Sequence, residues 1–295
     1  MIHLSDFFKM SYSDIKIEYL SFCNMYVNNM SITILKYTMN NNMNNNMTHF
    51  ECVGEFHTCF GHPMRTKEYF ECLKSDTGLI PFRLKMIDEE LNELKEAFDK
   101  NDYVEIADAL CDVAYFIFGS GHCLGFNVDQ MLKQHNMSID TPNELNRFDV
   151  NEFNNNRLDY ALSITKLFEC LNDLQKKYDE MNKSFSDEDF MTSYLFFVEF
   201  CNMMIYLLND VYSLGHRMSF NMDLLFREVH RSNMSKLCST EEDAQITVQK
   251  YNQGTQYKNT GYRYQNGYYV VYDVNTSKIL KNHKWSVPML KNIIA

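Results

Sequence analysis

A chain of 295 residues, 45% hydrophobic, holds enough apolar material for one large domain or two small ones. Its formal net charge of −11 excludes a sequence-independent nucleic-acid binder, which needs a basic surface to release counterions. Four prolines and ten glycines favour long helices over a many-turned β fold.

Nine cysteines without a CxxC pair read as reduced thiols of an intracellular, cytoplasmic protein. No signal peptide is evident, and no uninterrupted apolar run reaches the ~18 residues of a membrane span. A soluble protein with neither a nucleic-acid nor a membrane partner is expected.

Residues 1–48 form an N-terminal extension that ends in the polar low-complexity tract TMNNNMNNNMT. From Phe50 onward the patterning is helical. Leu84, Ile87, Leu91, Leu94 and Phe98 make one apolar stripe. Asp102 is a plausible N-cap for the next helix, whose stripe is Ile106, Ala107, Leu110, Val113, Ala114, Ile117 and Phe118. The short break predicts an antiparallel hairpin. Gly119 and Gly121 suggest that its second helix ends there, and Asn127–Gln134 reads as a further short helix. The first helical unit spans 49–136. Residues 137–157, polar and Asn-rich, read as a linker.

A second helical unit covers 158–238, with long helices over Ala161–Tyr178 and roughly Asp187–Leu214, closed by Met222–Met234. Residues 239–295 form a C-terminal extension of β character. Tyr262 to Val274 reads as one strand, Asn275-Thr276 as a turn and Ser277–Leu280 as the returning strand. The fold class is therefore all-α, with a small C-terminal β-hairpin.

The two helical units align with each other. Leu91, Asn92, Leu94 and Asp99 match Leu171, Asn172, Leu174 and Asp179. Glu105 matches Glu199, Gly121-His122 matches Gly215-His216, GFNVD (125–129) matches SFNMD (219–223), and HNMSI (135–139) matches SNMSK (232–236). Several blocks in the same order predict tandem helical hairpins in a pseudo-symmetric bundle, doing within one chain what two subunits would otherwise do.

The first unit concentrates acids. Glu89, Glu90 and Glu93 lie on its first helix, and Glu105, Asp108 and Asp112 form a stripe on its second. Facing stripes of like charge invite a hard divalent cation such as Mg²⁺. A plain solvated face would show the same spacing. The second unit speaks for the metal reading, because its matched positions are Cys170, Asp173, Glu199 and Asn202. Two acids of four are gone, and a change to cysteine on a merely wet face would be odd.

At these residues the chain resembles the MazG-like and phosphoribosyl-ATP pyrophosphohydrolase-like all-α nucleotide pyrophosphatases. Their EExxE helix followed by an ExxD helix stands here as Glu89-Glu90-Leu91-Asn92-Glu93 and Glu105-Ile106-Ala107-Asp108. EFHTCFGHPMRT (55–66), FREVHRSNMSK (226–236) and the Lys278-Ile279-Leu280-Lys281 tract before Trp285 resemble a subfamily common in phages and large DNA viruses.

The resemblance implies a MazG-like bundle that cleaves a nucleoside triphosphate between its α and β phosphates. It implies that Glu90, Glu93, Glu105 and Asp108 hold Mg²⁺ (Mn²⁺ as an alternative) and that Asp112 assists a second metal. Glu89, turned ~100° away on the helix, would orient or deprotonate the attacking water. Single-unit relatives assemble their bundle from several subunits; here the second unit would supply the partner surface, with a homodimer as a further possibility. Asn233 and Lys236 would then reach substrate, although a helix cap or a free surface lysine would account for them equally.

Cys52, His57, Cys59 and His62 lack the usual zinc spacings, and His57 and His62 are more plausibly packing residues. His122 and His216 follow glycines at expected helix ends, where the helix dipole would favour them. True phosphoribosyl-ATP hydrolysis and a non-catalytic binding or regulatory bundle are the competing functions.

Overall fold

The computed structural model describes residues 47–142 and 144–294. The N-terminal extension and nearly all of its Asn-rich tract lie outside them. Helix α1 (His49–Phe60) opens on a reciprocal cap: Thr48 Oγ accepts from the Glu51 backbone, and Glu51 accepts from the Thr48 backbone. A single turn, α2 (Cys72–Ser75), leads to α3 (Leu79–Lys100) and α4 (Tyr103–Leu124).

The α3–α4 hairpin forms as its sequence demands. Asn101 takes the left-handed conformation that ends α3, and Asp102 accepts from the Glu105 backbone at 3.2 Å to start α4. Ile80, Leu84, Ile87, Leu91, Leu94 and Phe98 are buried on α3, against Ile106, Leu110, Val113, Ile117 and Phe118 on α4. Helix α4 does not stop at Gly119 or Gly121. It runs on to Leu124 and ends at Gly125, which adopts φ 80°. Gly121 serves a close approach instead: a Cβ there would stand 2.8 Å from Val128 and 2.9 Å from the Phe126 carbonyl.

Helix α5 (Val128–Gln134) follows, capped by Asn127. The stretch expected as a linker contains α6 (Val150–Asn155), where Asp149 caps two backbone amides. Phe148 and Phe153 pack on Tyr103 at ring distances of 4.8 and 5.0 Å, so burial of aromatic surface ties this polar-looking segment to the core. The second hairpin is longer than its apolar stripes suggested: α7 (Arg157–Ser186) and α8 (Phe190–Arg217). Helices α3, α4, α7 and α8 bury their stripes in one core, and α1 packs on α4 together with α9 (Met222–Met234).

Helix α8 is by length and composition apolar enough to cross a membrane. Its Phe197, Phe200, Met204, Leu207 and Leu208 are fully buried in the bundle, and Glu199 interrupts its apolar run.

The C-terminal extension begins with a helix that its β-rich end masked, α10 (Glu241–Gln253), capped by Thr240 and carrying three acids in its first turn. The hairpin itself is β1 (Thr260–Gln265) and β2 (Tyr268–Asp273), antiparallel, with Tyr262 opposite Val271. Its turn is Asn266-Gly267, both at positive φ, not Asn275-Thr276. Asn-Gly is the pair a two-residue hairpin turn favours. Residues 277–280 supply a single bridge, Ile279 to Tyr272, rather than a strand. A last turn, α11 (Lys291–Ile294), follows Leu290, which is buried in the core.

A candidate acidic active site on the first hairpin

The α3–α4 hairpin brings the predicted acids together. Glu90 is half-buried, and burial raises its carboxyl pKa to about 7, with Glu93, Asp108 and Glu89 adding to the rise. Asp108 is raised to about 6 by burial and by Glu105 and Glu93. Asp112 is raised well above the usual carboxylate range, first by burial and then by Asp108 and Glu90. Each helix therefore feels the charges of the other, so the two stripes face one another. Glu93 and Glu105 stand at the exposed edge.

Among the described residues, none of Glu90, Glu93, Glu105, Asp108 and Asp112 enters an ion pair or accepts a side-chain hydrogen bond. Glu89 differs. It lies outside this face, exposed, with Lys85 Nζ 3.3 Å away.

Hard, unpaired and half-buried carboxylates are the donor set that Mg²⁺ prefers. Among the described residues, however, no three His, Cys, Asp or Glu side chains stand close enough to grip one ion as they are placed. Glu93 and Glu105, exposed and each with three rotatable side-chain bonds, are free to swing inward without moving either helix.

Helix α9 lies across the acids, running opposite to α4. Phe226 stacks on Tyr115 at 5.5 Å, and His230 Nδ1 is 3.1 Å from the Tyr115 hydroxyl. His230 Nε2 in turn meets Glu55 at 3.1 Å. Asn233 lies in the last turn of α9 and Lys236 two residues beyond its end, near enough to Asp112 and Asp108 to feel their charge. The Lys236 ammonium donates to Asn233 Oδ1 at 2.6 Å. Burial lowers its pKa and Lys281 and Lys278 depress it further, against the opposing pull of Asp112 and Asp108. Lys236 thus stands beside the acids, and Asn233 holds its ammonium. Neither Tyr115, His230 and Glu55 nor Lys278 and Lys281 were found from the sequence as site residues; the clue available for the lysines was the resemblance of their tract.

The second hairpin is arranged differently. Lys177 Nζ lies 3.0 Å from Glu199 and 2.7 Å from Glu180, above the Phe196 ring. Asn202 is bonded to His135 at 2.8 Å. Asp173 pairs with Lys176 at 2.8 Å, so each acid left at these positions is neutralised, and Cys170 is a free thiol. A surface cleft of about 430 Å³, lined by Asn209, Ser213, His216 and Arg217 among others, contains none of the predicted site residues.

Three of the histidines are structural. His57, His62 and His122 sit together, with rings 5.3 Å apart for His57–His62 and His57–His122. Burial holds their pKa values at about 3, 4 and 4. His122 lies flat on Phe50 at 3.9 Å and bonds the Phe50 carbonyl at 2.8 Å. It is a neutral packing residue, not a cation at a helix end. Burial likewise lowers His216. The eight cysteines among the described residues are free thiols.

Residues 53–138 match the sequence model of the phosphoribosyl-ATP pyrophosphohydrolase family. The match makes the segment carrying the acids similar to that family of pyrophosphohydrolases and supports a likeness to the MazG-like superfamily. An uncharacterized protein of Acanthamoeba polyphaga mimivirus is 29% identical over 251 residues, 84% of this chain and 96% of that protein. No solved structure matches the chain.

Proposed function

We propose that this chain is a divalent-cation-dependent nucleoside triphosphate pyrophosphohydrolase, converting an NTP or dNTP to the monophosphate and pyrophosphate. The observation that carries the reading is the set of five unpaired carboxylates on the α3–α4 hairpin, with Lys236 at its edge. A solvated face would leave their pKa values near those of free carboxylates; here Glu90 and Asp108 are lifted to about 7 and 6.

Glu90, Glu93, Glu105 and Asp108 would hold Mg²⁺, with Mn²⁺ as a substitute and Asp112 placed to assist a second ion. Bound there, the metal would polarise phosphate oxygens and lower the pKa of water. Water attacks the α-phosphorus, the Pα–O–Pβ bridge breaks, and its electron pair leaves with pyrophosphate. Glu89 is proposed to take the water's proton, which requires it to leave Lys85. Lys236 neutralises phosphate charge, and Asn233 holds its ammonium in place. The second hairpin supplies a wall rather than a second site, since Lys177 neutralises Glu199.

The test is pyrophosphate release by the full chain with Mg²⁺ across NTPs, dNTPs and phosphoribosyl-ATP, with Glu93→Gln as control. Metal-dependent release that vanishes in the variant supports the reading. Preference for phosphoribosyl-ATP would move the substrate, and a folded chain inert to all of them would leave a helical binding module.

A further inference from the structure

The C-terminal extension is stitched along the end of α9. Asn282 Nδ2 donates to the Leu237 carbonyl at 2.7 Å, and the Ser286 amide donates to Ser235 Oγ at 3.0 Å. Arg231 donates to Ser286 Oγ at 3.0 Å and to the Val287 carbonyl at 3.1 Å. Leu280 is buried, and its amide donates to the Val271 carbonyl at 2.9 Å. Lys281 therefore sits between two buried anchors, Leu280 and Asn282, and the second of these is bonded to the residue after Lys236. Its ammonium lies over the Trp285 ring at 3.7 Å from the centroid, a contact that restrains the side chain.

Among the described residues, neither Lys278 nor Lys281 has a carboxylate partner within ion-pair distance. Ile279 between them packs on the apolar cluster that holds Leu237, and Asn282 bonds the Leu237 carbonyl, so the stretch 278–282 runs beside Lys236. Three ammonium groups from two separate elements thus crowd the edge of the acidic site. The neighbouring acids offset part of that charge, and a polyphosphate lying between acids and lysines would offset the rest.

We propose that the C-terminal extension is a working part of the site: Lys278 and Lys281, with Lys236, form a cationic rim that holds the β- and γ-phosphates of the substrate. This rests on the reading of the acids as a triphosphate-cleaving site. The rim fixes direction. The two outer phosphates, which carry most of the charge, go to the lysines, and the α-phosphate is left at the carboxylates. Pyrophosphate therefore departs from the extension, while the monophosphate is held by the bundle. The rim also selects chain length, because a nucleoside diphosphate reaches it with one phosphate fewer.

Lys278→Ala, Lys281→Ala and Lys281→Arg in the full chain test this, since both lysines are exposed and can be changed without opening the core. Pyrophosphate affinity is measured by calorimetry, with monophosphate affinity alongside and steady-state kinetics where the wild type turns over. The alanine variants are expected to weaken pyrophosphate binding and raise KM about tenfold or more. Monophosphate affinity and kcat should stay within about threefold, and Lys281→Arg should recover most of the loss. Unchanged pyrophosphate binding in both alanine variants overturns the proposal, as does an equal loss for the monophosphate. A wild type that binds pyrophosphate but cleaves no triphosphate would sink the proposed function while still reading out the rim.

Discussion

Lys177 reaches across the second hairpin to Glu199 at 3.0 Å, the residue that internal alignment sets against Glu105. In the first hairpin the position matched to Lys177 is Ala97, a buried alanine that cannot supply a charge. One substitution thus separates an acid that is already neutralised from one that is not. Glu199→Gln is expected to leave activity within about twofold, whereas Glu105→Gln should lower kcat by ~10²-fold or more if it holds metal. Comparable losses in both variants would show that the two hairpins share the chemistry.

Burial and neighbouring carboxylates raise the pKa values of Glu90, Asp108 and Asp112, so the metal-free fold carries the cost of crowding them. Asp112→Asn keeps the shape and removes one charge. It should raise the thermal midpoint of the metal-free protein by a few degrees, about 1 kcal/mol, while weakening divalent-cation affinity. Thermal unfolding with and without Mg²⁺ checks both. A lowered midpoint without metal would mean that Asp112 supports the core rather than burdening it.

Cation affinity should depend on pH in the range set by Glu90 and Asp108, which titrate near 7 and 6. Both groups bind metal only as carboxylates. Below pH 6 each ion must displace protons, so affinity falls as pH falls; above about pH 7.5 it levels off. Calorimetry at pH 6 in buffers of different ionisation enthalpy should detect roughly one proton released per ion bound. No release, with affinity flat from pH 5.5 to 8, would place the metal elsewhere.

Folding stability should be acid-sensitive through His57, His62 and His122. Their folded pKa values, about 3, 4 and 4, lie below the ordinary 6.5, so the unfolded chain binds more protons between these limits. The stability they allow is complete above pH 6.5 and is lost as pH falls toward 4 and then 3. At ~1.4 kcal/mol per pKa unit, each histidine costs about 3 kcal/mol by pH 4, a combined loss on the order of 10 kcal/mol as an upper bound. Denaturant midpoints across pH 4–7 measure it, and His122→Phe should flatten the slope because phenylalanine keeps the stack on Phe50.

Gly121→Ala tests the turn from α4 into α5. The new methyl would meet Val128 at 2.8 Å and the Phe126 carbonyl at 2.9 Å, and the backbone neighbour cannot rotate away. A cost of about 1–3 kcal/mol is expected, read as a lower urea midpoint at unchanged m-value.

Much of the helical body was legible in one dimension because helical burial is periodic. The stripes of α3 and α4, the Asp102 cap and the α9 boundaries follow from local spacing and capping chemistry. The six acids could be listed for the same reason, since residues three and four apart share a face. Punctuation failed where packing overrode propensity. Gly119 and Gly121 looked like stops but let other elements approach α4. Asn275-Thr276 drew the eye from Asn266-Gly267, and α10 was overlooked beside the tyrosine-rich strands although its cap and acidic first turn were in view.

What this sequence determined by itself is a set of local decisions: the long helices α3, α4, α7, α8 and α9, the starts of α4 and α9, and which carboxylates share each helix face. Whether those carboxylates are solvated or crowded was not local. That depended on α3 and α4 closing on each other, on α9 crossing them with Lys236, and on the extension returning to lay Lys281 beside that lysine. These are contacts between residues far apart in the chain, made by burying surfaces that no single segment contains. The same contacts set the pKa values, because burial and neighbouring charge exist only once the bundle is assembled.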